Sequence, residues 1–325
     1  MGINITEIAQ KVLNVTSNAA NIFRKMYDLY YNPKPLDVPF EYIDENGNKI
    51  TTNIKNVAGF RKKLWDDVGA ALGQFNRSFY VDQENGDDNN DGSRDNPFKT
   101  LSKAITATPI GGQVTINLLS DYTLEQDIYI SKRYVKINVK NGIKLKTSWY
   151  VATSSGNARL YFIDISNGFL HIHLEQYDKN GEPSQLIIPE NDTGKDKEKE
   201  FIGFIKNSSG GGGKLRIDYR NKVDGAVVID VQDGYLFKQY NWARENSFID
   251  VRIQGHYAES KIRVNTDNNA LLAYLRQTTT AFTFQVDNNT LIDQDGNDLD
   301  IIDVVTGIVK DSNGVPRNII SNIVF

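Results

Sequence analysis

"DDNNDGSRDNPFKTL", residues 87–101, changes character half-way along: acidic and amide residues surround Gly92, then Pro97-Phe98 opens an apolar half. Asp87, Asn89, Asp91 and Gly92 stand at positions 1, 3, 5 and 6 of a calcium-loop spacing, with Asp95 at position 9. Position 12 is Phe98, where a bidentate Glu would close the coordination shell. A solvated turn is therefore the stronger reading of Asp87, Asn89 and Asp91, and a metal the weaker one. The second half reads as a helix start. Asn96 is placed to cap it, and Pro97 suits its first position, where a missing N–H costs nothing. Phe98, Leu101 and Ile105 then share one face. A short amphipathic helix ahead of many strands covers an apolar mouth and blocks edge-to-edge association.

Working outward, the chain from Phe79 onward is a series of short runs with apolar residues at every second position, the period of a strand. Examples are "QVTINLL" (113–119), "RLYFIDIS" (159–166), "FLHIHLEQY" (169–177), "KLRIDYR" (214–220), "AVVIDVQ" (226–232) and "SFIDVRIQ" (247–254). "KDKEKE" (195–200) reads as a solvated loop and "NSSGGGG" (207–213) as a flexible turn. The glycine run does not match a phosphate-binding loop, because Ser208 replaces its first glycine and Leu215 follows the lysine.

Taken together, "YVDQENGDDNNDGSRDNPFKTLSKAI" (80–105) and "GGQVTINLL" (111–119) resemble the start of a right-handed parallel β-helix of the pectin-lyase-like class. The resemblance runs through Gly86, Asp88, Gly92, Pro97, Phe98, Thr100, Leu101, Ala104, Ile105 and Gly111-Gly112, within residues 79–119. This pattern is frequent in bacteriophage tail spikes and tail fibres. It implies a mainly β fold, a homotrimer, a place in the virion beside other tail proteins, and a host-surface polysaccharide as partner. A polysaccharide depolymerase and a non-binding adaptor for another fibre are the alternatives, with the non-enzymatic readings favoured. Stacked coils of about 20 residues or more would place around half a dozen between residues 113 and 264; a β-sandwich is the competing architecture.

Residues 3–31 carry a heptad. Ile5, Ile8, Val12, Val15, Ala19, Ile22, Met26 and Leu29 are spaced alternately three and four apart. The β-branched residues at both seam positions favour three strands or more, so this helix is expected to be a parallel trimeric coiled coil, the alternative being an amphipathic helix lying on its own domain beside Ala9, Phe23 and Tyr30. Asn32-Pro33-Lys34-Pro35 ends it. A hairpin over Val38–Ile54, turning at Asp44-Glu45-Asn46-Gly47, and a second helix to Phe75 follow. The expected organisation is thus 1–35 coiled coil, 36–78 adaptor, 79–264 β-helical body and 265–325 a separate small β region.

Composition narrows the function further. The 325 residues include no cysteine and three histidines, with a net charge of −4. Disulfides and thiolate chemistry are excluded, and a nucleic-acid partner is disfavoured because phosphate binding wants a basic surface. No apolar run approaches ~20 residues, so no membrane span is expected, and Met1–Ile5 lacks the order of a signal peptide. No cofactor is implied.

Candidate site residues are few. Asp164, Asp218, Asp230 and Asp250 each sit between apolar neighbours and are expected on the outer, solvated face of their strands. Asp230 and Asp250, twenty apart, could stack on neighbouring strands as the paired carboxylates of glycoside hydrolysis. His171 and His173 share one face and are expected to be solvent-facing; as His-x-His around a threefold axis they could hold a metal. Tyr235, Tyr240 and Trp242, interleaved with Lys238 and Arg244, suit sugar rings, although packing between strands is the more economical reading.

Overall fold

A computed structural model describes residues 36–43, 45–58, 75–208, 212–239, 249–255, 260–275, 282–287, 289–317 and 319–321, with isolated positions at 10, 21, 24, 25, 28, 29 and 34. The chain forms two compact units, Met1–Gly73 and Gln74–Phe325. In the first, Asp37–Ile43 and Lys49–Lys55 pair antiparallel around Gly47, whose φ of 80° supplies the left-handed turn the Asn-Gly pair promised. The heptad expectation lies outside the described residues apart from isolated positions, as does most of the second helix.

The second unit is mainly β, built on three parallel sheets. One runs, in spatial order, Asn76–Val81, Gln113–Leu118, Tyr134–Lys140, Phe169–Gln176, Gly213–Asn221, Ile249–Gly255, Phe282–Asp287 and Ile319–Ser321. A second runs Tyr122–Leu124, Lys144–Thr147, Gln185–Ile188, Val227–Val231, Ser260–Val264 and Asn289–Ile292. The third runs Ile128–Tyr129, Ile163–Asp164, Gly203–Asn207, Tyr235–Gln239, Leu271–Tyr274 and Val305–Thr306. From Gln113 on, the chain visits the three sheets in rotation, so parallel neighbours are joined through the other two sheets rather than by a helix. Two-residue alternation points one face of strands such as Gln113–Leu118, Lys144–Thr147 and Ser260–Val264 at a common core. In the first sheet Ile116, Ile137, Ile172, Ile217 and Ile253 follow one another in register, each with 1% exposure or less. A buried side chain of this kind contributes ~1.5–3 kcal/mol.

Circuit length is uneven. Successive isoleucines of that row are 21, 35, 45 and 36 residues apart. The extra residues lie in insertions between the sheet strands, among them an antiparallel hairpin of Trp149–Val151 with Ala158–Leu160, whose Trp149, Ala158 and Leu160 are buried in the core. Strands beyond residue 264 extend the same three sheets, so the C-terminal segment expected as a separate β region continues the body.

The opening stretch is laced to the first strand. Phe98 forms a parallel bridge with Val81, and Tyr80 N donates to Gly92 O at 2.8 Å. The helix is shorter than the sequence suggests, Leu101–Thr106, and its cap is Thr100, whose hydroxyl accepts from Lys103 N. Asn96 and Pro97 precede it in a turn, because the bridge at Phe98 holds that residue in extended backbone. Phe98, Leu101, Ala104 and Ile105 are buried against the first strands, with the Phe98 ring 5.0 Å from Phe79. Gly92 is required: its φ is 76°, and a Cβ would fall 2.4 Å from the Phe98 ring.

The acidic residues of the stretch serve the backbone. Asp88 accepts from Lys99 N, Thr100 N and the Thr100 hydroxyl at 3.0, 2.9 and 2.8 Å. Asp87 Oδ1 accepts from Asn89 N and Nδ2, and Asp91 Oδ1 from Ser93 N. Turns of this type are the normal use of Asp in loops.

Candidate functional site

On the face of the first sheet that points away from the core, register stacks polar side chains into rows. Lys136, His171, Arg216 and Arg252 form one row across four adjacent strands. Neighbouring strands are ~4.8 Å apart, so the row is a regular ladder of basic groups. Beside it run Tyr134, Phe169, Lys214 and Asp250, and on the other flank Asn138, His173, Asp218 and Gln254. A 210 Å³ cavity opens among Phe169, Lys214, Leu215, Arg216, Asp250 and Arg252. Three cations against one carboxylate give it a positive lining within a chain of net negative charge.

A hydrogen-bonded chain borders this cavity. The Tyr134 hydroxyl lies 3.0 Å from His171 Nδ1, and His171 Nε2 lies 3.0 Å from Asp218 Oδ2. Arg216 Nε donates to the other Asp218 oxygen at 2.7 Å. Burial works against the Asp218 carboxylate, but the bonds from His171 and Arg216 outweigh it and hold its pKa well below the usual range. Burial, reinforced by the Lys136 charge, drops His173 to about 4. Lys140 reaches Glu175 at 2.5 Å, so that carboxylate too stays ionised.

Several expectations are corrected here. His171 and His173 are 8% and 6% exposed, not solvent-facing; the rings of Tyr134 and Phe169 pack beside His171, and the two imidazoles pack edge to face. Asp230 and Asp250 do not stack. Asp230 lies in the second sheet, ion-paired with Arg263 at 2.5 Å, whereas Asp250 lies in the first, 3.1 Å from Arg252. Twenty residues is less than one circuit at that point, so the spacing carries the chain to a different sheet. Nor are the outward aspartates merely solvated: Asp164 accepts from Ser166 N and its hydroxyl, and Asp164, Asp218 and Asp230 are all buried. "KDKEKE" also has structural work, with Glu198 holding Arg159 in a two-pronged pair at 2.6 and 2.8 Å and Lys197 bound to Asp233.

Of the aromatic candidates, Tyr240 and Trp242 lie outside the described residues. Tyr235 stacks on Tyr274 of the next strand of the third sheet, centroids 5.7 Å apart and planes 11° apart, with Lys238 Nζ over both rings. That is packing between strands. Lys206 is similarly placed over Phe162 at 3.1 Å, and burial lowers both lysines to about 8. Asp87 and Asp91 gather no further ligands: among the described residues the one cluster of His and carboxylate groups within metal-binding reach is His171, His173 and Asp218. Sequence reading missed Tyr134, Asn138, Lys214 and Arg216 as members of the site. Their shared signal is an outward position beside an inward aliphatic residue, but uneven circuits conceal which strands are neighbours.

Comparison with known proteins finds no family model, no curated relative and no solved structure that matches the chain.

Proposed function

We propose that the three rotating sheets are the faces of a right-handed parallel β-helix, and that the chain is a virion protein of the bacteriophage tail spike or fibre type that binds an acidic host-surface polysaccharide. The observation that carries the binding part is the row of Lys136, Arg216 and Arg252 with its cavity beside Phe169. A repeating anionic polymer fits a linear array of cations at strand spacing, and an aromatic edge adds apolar contact to a sugar ring. The phage assignment rests on the resemblance at residues 79–119, and the parallel homotrimer on the heptad at 5–29.

Titration of the purified chain with uronate-containing and neutral oligosaccharides tests the reading. Binding of the acidic ligands alone, weakened by salt and at least tenfold weaker in Arg216→Ala or Arg252→Ala, is the expected result. Release of shortened chains would replace the binder with the depolymerase. Absence of binding to host cells and glycans alike would leave the adaptor.

A further inference from the structure

We propose that His171, His173 and Asp218, with the Asn138 amide oxygen as a fourth donor, form a site for a divalent transition-metal ion of the zinc class. The site belongs to a single chain and stands independently of what the neighbouring cavity binds.

Geometry brings the donors together. One ligand atom from each of His171, His173 and Asp218 lies within 4.8 Å of the others. The separation of 3.0 Å between His171 Nε2 and Asp218 Oδ2 is close to the ~3.3 Å edge of a tetrahedron with zinc–nitrogen and zinc–oxygen bonds of ~2.0–2.1 Å. Register places Asn138, His173 and Asp218 in one row across three strands, with His171 two residues from His173 on the same face.

A second observation points to a ligand. His173 Nδ1 and Asn138 Oδ1 are both buried without a hydrogen-bond partner among the described residues. The two residues are register partners, at 6% and 7% exposure. Buried polar atoms are nearly always satisfied, so two orphans side by side, next to a histidine–carboxylate pair, call for a shared partner. A cation would satisfy both at once.

The surroundings also fit. Metal-bound imidazoles are oriented by a bond to the second ring nitrogen, the place the Tyr134 hydroxyl takes on His171. Arg216 holds the second Asp218 oxygen, and Asn138 Nδ2 donates to Asn117 Oδ1 at 2.8 Å, leaving its own oxygen as the remaining donor. Two imidazole nitrogens favour Zn2+ or Co2+ over Ca2+ and Mg2+, which take oxygen shells. With one carboxylate and the Lys136 and Arg216 charges nearby, the ion would serve as a staple across three strands.

The full chain, stripped with chelator and dialysed, is titrated with Co2+, Zn2+ and Mg2+. Expected are the visible absorption bands of four-coordinate Co2+ saturating at one equivalent and abolished by Zn2+, a higher melting temperature with Zn2+, and no response to Mg2+. His173→Gln and Asn138→Ala should weaken Co2+ binding at least tenfold, whereas Asp87→Asn with Asp91→Asn should leave it intact. If the first two variants do not fold, histidine ring NMR on the unaltered chain decides the matter: Zn2+ should move the His171 and His173 signals together, saturating at one equivalent. No saturable binding, undiminished binding in folded His173→Gln, or His171 and His173 signals unmoved by Zn2+ would overturn the proposal.

Discussion

Asp88 and Asp218 are both carboxylates that gather several donors, yet they hold different things together. Asp88 closes a loop within twelve residues, accepting from two backbone amides and a hydroxyl of the same stretch. Asp218 receives Arg216 from its own strand and His171 from 47 residues away, across a sheet. Altering a distant circuit would leave the first site intact, because every partner travels with the loop. The second exists only while two strands keep their register. Local polar motifs of this kind are architectural here, whereas the chemically versatile cluster is assembled at long range.

That contrast can be broken at its strongest point first. Phe98→Ala removes a ring at 3% exposure from the start of the core and should cost ~3–5 kcal/mol in urea unfolding. A loss below ~1 kcal/mol would mean that the opening stretch does not seal the core. Asp88→Ala leaves two backbone amides without their acceptor and should cost ~2–3 kcal/mol. Asp218→Asn should cost ~1–3 kcal/mol, reduced from a fully buried pair because Arg216 is 41% exposed. A double-mutant cycle sharpens the comparison. Asp218 should couple to His171, whereas Asp88 and His171 should be additive.

The pH dependence separates the regions further. His173 has a folded pKa of about 4 against 6.5 when unfolded, so its contribution is complete above 6.5 and lost as pH falls toward 4. The lowered Asp218 pKa extends that loss below 3.8. Residues 87–101 contain no histidine. His173→Gln should therefore flatten this limb of a melting-temperature profile, and an unchanged slope would assign the limb elsewhere. In alkali, Lys206 and Lys238, lowered to about 8, should make stability climb from pH 8 toward 10, since the unfolded chain binds more protons there. Tyr122, pushed up to about 12 by burial, turns the profile down above 10. The smallest effect belongs to Asp87→Asn with Asp91→Asn, which should leave the melting temperature where it was, with or without calcium.

Strand positions, the hairpin at Gly47 and the burial of Phe98, Leu101 and Ile105 were legible because each depends on neighbours two to four residues away. The Asn96 cap misled for a related reason. A good local cap was displaced by a bridge from Phe98 to Val81, seventeen residues back. By itself the sequence determined the alternation that separates core from outer face, and hence that His171, His173 and the aspartates point away from the core. Only the tertiary structure decided which outward residues meet. Circuits of 21 to 45 residues obey no fixed period, so sequence distance does not specify the adjacent strand. Asp230 and Asp250 therefore part company, while Asn138, His173 and Asp218 come into one row. Backbone pairing sets that register to suit the buried isoleucines, and the outer side chains take whatever neighbours the core imposes.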